Sequence, residues 1–217
     1  MIVDKPVLYS FRRCPYAMRA RMAIAVADQK VLLREVVLRD KPASMLEVSG
    51  KGTVPVLVLQ DGMIIDESLD VMTWALQRHD PEEWLRPEVG TFTDMQSLIA
   101  ECDGPFKHHL DRFKYTTRYE DVDPDVHRTE AGKFLSGLDR RLAGSKYLYG
   151  GKRSVADIAI FPFVRQFAGA AGSWFCNDKF PNLTPWLEGH VTSDFFKSIM
   201  KKYPQWQQGD VEPVFPE

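Results

Sequence analysis

Cysteine is scarce in this chain: Cys14, Cys102 and Cys176 are all there are among 217 residues. Three thiols so far apart supply neither a disulfide framework nor the paired spacing of a zinc site. That scarcity points to a reducing, cytoplasmic compartment, where Asn182-Leu183-Thr184 has no meaning as a glycosylation signal. An excess of one charge is lacking too. A formal net charge of −2 leaves no basic field to attract nucleic acid or an anionic membrane. No apolar run approaches the roughly 20 residues that span a bilayer, and the first residues lack the charged-then-apolar order of a signal peptide. Internal repeats and low-complexity tracts are absent. What remains is the profile of a folded globular chain, 44% hydrophobic and 27% charged, long enough for one large or two small domains.

The most informative stretch is Phe11-Arg12-Arg13-Cys14-Pro15-Tyr16-Ala17. The apolar run Pro6-Val7-Leu8-Tyr9 before it predicts a buried strand. Met18 to Ala27, rich in Ala, Met and Arg and free of Gly and Pro, predicts a helix. Pro15 suits the first helical position, where its missing N–H costs nothing. Cys14 then falls at the N-cap, beside unpaired backbone N–H groups and the positive end of the helix dipole. Arg12, Arg13, Arg19 and Arg21 surround it, and no acid lies between Asp4 and Asp28. A thiol so placed is expected to ionise at a pKa of roughly 3.5–7.5 in place of ~8.5, and the thiolate is the nucleophile. The alternative is a small Cys that only packs.

Beyond the helix, Val31 to Leu38 predicts a second strand, making a parallel pair with a right-handed crossover. Ala43 to Val48 predicts a short helix, Val54 to Leu59 a third strand opened by Pro55, and Asp61-Gly62 a tight turn into a fourth at Met63-Ile64-Ile65. Leu69, Met72, Thr73 and Leu76 share one face of a helix running to about His79. The order βαβ, short helix, hairpin, helix is of thioredoxin type. Asp80 to Gly90, with Pro81, Pro87 and Gly90 among many charges, reads as a linker. Past it only helices are predicted: Thr91 to about Tyr115, Pro124–Ala143, Ser154 to about Phe167, and shorter ones near Pro185–His190 and Asp194–Lys202. The segment opening on Ser154-Val155-Ala156-Asp157 has a capping-box start and is apolar on nearly every side. It is expected at the centre of the second domain, kinked at Pro162. The fold class is thus α+β, with residues 1–80 thioredoxin-like, 81–90 a linker and 91–217 all-helical.

Taken together, the thioredoxin-like first half, the helical second half and the buried helix with its Ser-x-x-Asp start resemble the cytosolic glutathione transferases over nearly the whole chain. Cys14-Pro15-Tyr16-Ala17 is similar to the Cys-type omega class and its bacterial relatives. Lys41 in Arg39-Asp40-Lys41-Pro42, Val54 before Pro55, and the adjacent Glu67-Ser68 fit that class at matching intervals. The resemblance implies glutathione as co-substrate, a cis bond at Val54-Pro55, and a homodimer. The second half carries no match to a class-defining substrate residue. The same residues suit an extended peptide that bears two carboxylates, an amine and a thiol. Ser68 at a helix start offers a hydroxyl and N–H groups to a carboxylate, and Glu67 can face the amine. Val54 can pair with the peptide backbone, and Lys41 can meet the second carboxylate.

Ala17 occupies the place of the resolving Cys in a C-x-x-C oxidoreductase, which makes the expected chemistry monothiol. Tyr9, a rival activator, sits inside a strand and is set aside. Cys102 and Cys176 are expected to pack. Lys107-His108-His109, near Asp103 and Asp111, reads as solvated helix surface, because adjacent residues point to different faces, so no metal is expected. Gly150-Gly151-Lys152 lacks phosphate-loop spacing. Phe106, Phe113 and Tyr115, with Trp174, Phe175, Trp186, Phe195, Phe196, Tyr203 and Trp206, are expected mostly in the helical core, a few lining a cleft for an apolar or disulfide-bearing co-substrate. The expected activity is a glutathione-dependent thiol transferase or reductase with Cys14 as nucleophile. The alternative from another class is a non-catalytic glutathione-binding or regulatory protein.

Overall fold

The structure, a computed structural model, describes residues 5–217; the first four positions of the expected 1–80 domain lie outside them. The chain forms two compact units, one made of residues up to Glu82 together with Asp194–Glu217, the other of Glu83–Ser193.

The first unit is built on a five-stranded sheet: β1 (Val7–Ser10), β2 (Val31–Glu35), β3 (Val56–Val58), β4 (Ile64–Ile65) and β5 (Val214–Phe215), in the order β4-β3-β1-β2-β5. Here β1 runs parallel to β2, with Val7 opposite Leu32, and antiparallel to β3. All four residues of β1 are buried, as a strand covered on both faces requires. Helix α1 (Pro15–Val26) makes the crossover, α2 (Ala43–Val48) follows β2, and α3 (Ser68–Arg78) packs against α1. The thioredoxin-like reading of this half is borne out.

The tail departs from the expected helical domain. Its last 24 residues join the first unit for three reasons. β5 pairs antiparallel with β2. Trp206 packs its indole edge-on to Tyr9 and donates its backbone N–H to Glu35 O at 2.8 Å. The helix α9 (Asp194–Ile199) contacts α1. Trp206 therefore belongs to the sheet core with Val7, Tyr9 and Val56, and not to the helical core where the sequence reading put it.

The second unit holds α4 (Phe92–Glu101), α5 (Lys107–Lys114), α6 (Pro124–Arg141), α7 (Val155–Ala171) and α8 (Leu183–Thr192). α7 is its buried centre. Every residue from Val155 to Val164 is buried, Pro162 included. Its first turn closes on Asp157, which is inaccessible to solvent. The carboxylate accepts from Ser154 N and Oγ (2.9 and 2.7 Å), Leu148 N (2.9 Å) and Trp186 Nε1 (2.9 Å). The expected single helix from Thr91 to Tyr115 is interrupted by a π-helical turn at Cys102–Phe106. Pro105 there has no N–H to continue the α-helical ladder. Trp84, from the expected linker, is fully buried and its carbonyl accepts from Val155 N at 2.9 Å.

Candidate functional site

Cys14 sits at the N-cap of α1, with Pro15 in the first turn and no acid there. Its Sγ lies 3.7 Å from Val54 O, and Val54-Pro55 is a cis peptide bond. In the thiol form the S–H donates to that carbonyl, so ionisation releases it for another donor. Ala17 is wholly buried and carries no thiol. Cys102 and Cys176 both belong to the second unit, and none of the three forms a disulfide.

The four arginines divide their work. Arg19 is buried and donates from Nε and a terminal nitrogen to Ser68 Oγ at 3.0 and 2.9 Å. With both lone pairs so engaged, the Ser68 hydroxyl can only donate its own proton, and its natural partner is an acceptor such as a carboxylate. Arg21 is fully buried and lies within electrostatic reach of Cys14. It donates to Arg12 O at 3.0 Å and faces Glu35, whose Oε2 is 3.7 Å away. Arg12 N donates to Glu35 Oε1 at 2.7 Å. Burial, the dominant effect on each, lowers the Arg21 guanidinium to about 10 and raises the Glu35 carboxyl. For both, desolvation outweighs mutual attraction. Arg13 lies over the Phe11 ring.

Ser68 is the first residue of α3 and Glu67 its N-cap. The Lys51 ammonium, which sequence reasoning missed, bridges Asp66 Oδ1 at 3.0 Å and Glu67 Oε1 at 2.6 Å. These contacts raise the Lys51 pKa, Glu67 first, and Lys51, ahead of Ser49, lowers that of Asp66. Nothing local signals this, since 15 and 16 residues separate the partners. The Lys41 ammonium rests over Gly52, whose φ of +60° strains any side chain and where a Cβ would meet Lys41 Nζ and Leu46 Cδ2 at a tight 3.3 Å. Of the five expected residues, Cys14 and Val54 are thus in contact and Glu67 and Ser68 adjacent. Lys41 meets the same loop as Lys51. The Arg19–Ser68 bond ties α3 to the first turns of α1.

Three other readings resolve. Tyr9 is buried, donates to Ser44 Oγ at 3.0 Å and receives an Arg34 N–H, which makes it a core residue. At Gly150-Gly151-Lys152 the backbone N–H groups of Gly151 and Lys152 are taken by Glu88 Oε2 at 2.5 and 3.2 Å. An internal carboxylate fills that anion nest. His108 and His109 meet His127 of α6, a grouping that sequence spacing did not anticipate.

A parallel βαβ unit with an antiparallel hairpin, a cis-proline before β3 and a helix-N-terminal Cys against it, followed by a helical unit, has the architecture of a thioredoxin-fold transferase. The chain belongs to the glutathione S-transferase superfamily: the family models for its N-terminal and C-terminal domains match residues 8–83 and 107–189. It is 27% identical over 195 residues to glutathione S-transferase omega-1 of Rattus norvegicus, which covers 87% of this chain and 79% of that one. To glutaredoxin 2 of Escherichia coli K12 it is 26% identical over 188 residues, 76% of this chain and 86% of the relative. A glutathione transferase family member of Pseudomonas fluorescens, crystallised with two glutathione bound, shares the fold with a TM-score of 0.78 at 20% identity, over 91% of this chain and 92% of that one. No helix of the described residues is long and apolar enough to cross a membrane.

Proposed function

We propose that this protein is a Cys-type, omega-like glutathione transferase that works as a glutathione-dependent thiol transferase or reductase. The observation that carries the proposal is the pairing of Cys14, at the N-cap of α1, with the carbonyl of Val54 before a cis-proline. An extended peptide laid along Val54 hydrogen-bonds to that backbone and brings its own sulfur to the N-terminus of α1. Glutathione fits the remaining groups. Ser68 Oγ, restricted to donation by Arg19, takes the γ-glutamyl carboxylate with the N–H groups of α3. Glu67 faces the amine, and Lys41, with Lys51 beside it, faces the glycine carboxylate. The functional division gives the holding of glutathione to the first unit.

Cys14 as thiolate attacks the glutathionyl sulfur of a mixed disulfide. A Cys14–glutathione disulfide forms, and the departing thiolate takes a proton from water. The thiolate of a second glutathione then attacks that bond, giving glutathione disulfide and restoring Cys14. The likeness to the rat omega-1 transferase and to glutaredoxin 2 supports the glutathione-dependent part of this reading. The co-substrate is a small apolar or disulfide-bearing molecule, and the assembly a homodimer by family resemblance.

Cys14→Ser tests the assignment. A Ser hydroxyl is a poor nucleophile toward disulfides, so thiol transfer falls at least 100-fold, the scale on which catalytic groups act. The hydroxyl still donates to the thiolate of bound glutathione, so conjugation to an aryl halide holds or rises. Loss of both activities with glutathione still bound contradicts the role given to Cys14. Wild-type protein that binds no glutathione at millimolar concentration contradicts the site as a whole.

A further inference from the structure

Away from the thiol site, the second unit gathers His108 and His109 of α5 with His127 of α6. The ring centroids form a triangle, 5.0 Å from His108 to His109, 5.0 Å from His109 to His127 and 5.9 Å from His108 to His127. One nitrogen from each ring lies within 4.8 Å of the others. A tetrahedral zinc ion with Zn–N bonds of about 2.0–2.1 Å sets neighbouring imidazole centroids about 5 Å apart and their ligating nitrogens about 3.4 Å apart. Two of the three pairs already stand at that centroid spacing, and the third, His108 to His127, is wider at 5.9 Å. The Nδ1 atoms of His109 and His127 are 2.7 Å apart, the distance of a shared proton. A cation replacing that proton needs the pair to open by about 0.7 Å, a small rotation of two side chains that are only partly buried.

We propose that His108, His109 and His127 form a binding site for a divalent transition cation. Imidazole ligands favour zinc, copper or nickel over magnesium or calcium, and three of them leave a fourth position for water. The surrounding charges set the terms. Arg112 donates to His108 Nδ1 at 2.9 Å and so competes with a cation there. Its guanidinium lies over the Tyr119 ring, 4.5 Å from the centroid, a seat that survives loss of the His108 bond. Glu130, one turn beyond His127, places its negative charge within reach of His109 and His127, while Lys133 holds it by an exposed ion pair. Asp111, bonded to Lys107, is within electrostatic reach of His108. A bound cation joins α5 to α6 across the connection from His109 to His127. Such a clip stabilises the folded chain by closing a loop. This gain in stability does not depend on glutathione.

The test is titration of the full chain with zinc chloride, followed by calorimetry, against His127→Gln and His108→Ala. His108 is exposed, so its truncation leaves the packing intact if His127→Gln does not fold. Wild type is expected to bind one equivalent with micromolar or tighter affinity and to melt at higher temperature when loaded. Each variant is expected to bind at least tenfold more weakly, since even outer-sphere losses cost 10–100-fold, and to lose the thermal shift. Cys14 is a rival ligand, so the same proteins are titrated with cobalt(II). Tetrahedral d–d bands without a thiolate charge-transfer band, absent in the variants, support the site. A thiolate band, no binding by wild type at micromolar metal, or equal affinity in wild type and both variants overturns it and leaves the rings as a proton-sharing cluster.

Discussion

Ser68 shows how one residue joins function to folding. Its hydroxyl is assigned to a carboxylate of glutathione, a charge-assisted contact worth about 1.5–3 kcal/mol, and it also accepts two N–H bonds from buried Arg19. Ser68→Ala leaves the backbone N–H groups in place, so affinity for glutathione should fall on the order of tenfold by calorimetry. The same change strips an acceptor from a buried guanidinium and should lower stability by about 1–3 kcal/mol in urea titration. Unchanged affinity beside lowered stability would make Ser68 a structural residue only. The sequence alone reveals half of this. A Ser at a helix start is legible as an anion site, and Cys14 before Pro15 is legible as an N-cap. The Arg19–Ser68 bond is not legible, because it spans 49 residues and Arg19 looks like one more charge on a basic turn. Lys51 is hidden in the same way, a cation between two glycines whose acids arrive 15 residues later.

At the scale of elements, periodicity and caps located nearly every helix, and exceptions have local causes. Gly104-Pro105 lies inside a stretch whose apolar spacing is helical, so the π-helical turn leaves no mark in the pattern. β5 is two residues between Pro213 and Pro216, too short for alternation to be read, and only its pairing with β2 makes it a strand. The Ser154–Asp157 box was legible, yet its reach was not. Asp157 also holds Leu148 and the indole of Trp186, tying the start of α7 to the preceding loop and to α8. Burial raises its pKa, and the four donors oppose that rise. Asp157→Ala leaves those donors buried and unpaired, at a cost of about 3–5 kcal/mol. The variant should unfold at markedly lower urea. A loss under 1 kcal/mol contradicts the central place given to this carboxylate.

Over the whole molecule, acid should act through the second unit before the first. His190 is buried among Phe161, Trp186 and Tyr147. Burial, then the charge of Arg153, lowers its pKa from 6.5 to about 3. The unfolded chain takes up that proton near pH 6.5 and the folded chain near 3. The associated stability is therefore complete above pH 6.5 and is lost as pH falls toward 3, by about 1.4 kcal/mol per unit. His190→Phe removes the titrating group, so urea midpoints at pH 7.5 and 5 should differ less for the variant than for wild type. Equal pH dependence would show that His190 stays out of acid unfolding.

The central claim rests on one sulfur atom in the first unit, with neither companion thiol in that unit. Intact mass after incubation with glutathione disulfide, followed by peptide mapping, tests it directly. The account predicts a gain of one glutathionyl group per chain, on Cys14, removed by added glutathione. A chain that gains nothing at millimolar disulfide, or that carries the group on Cys102 or Cys176 or closes an internal disulfide from Cys14, contradicts it.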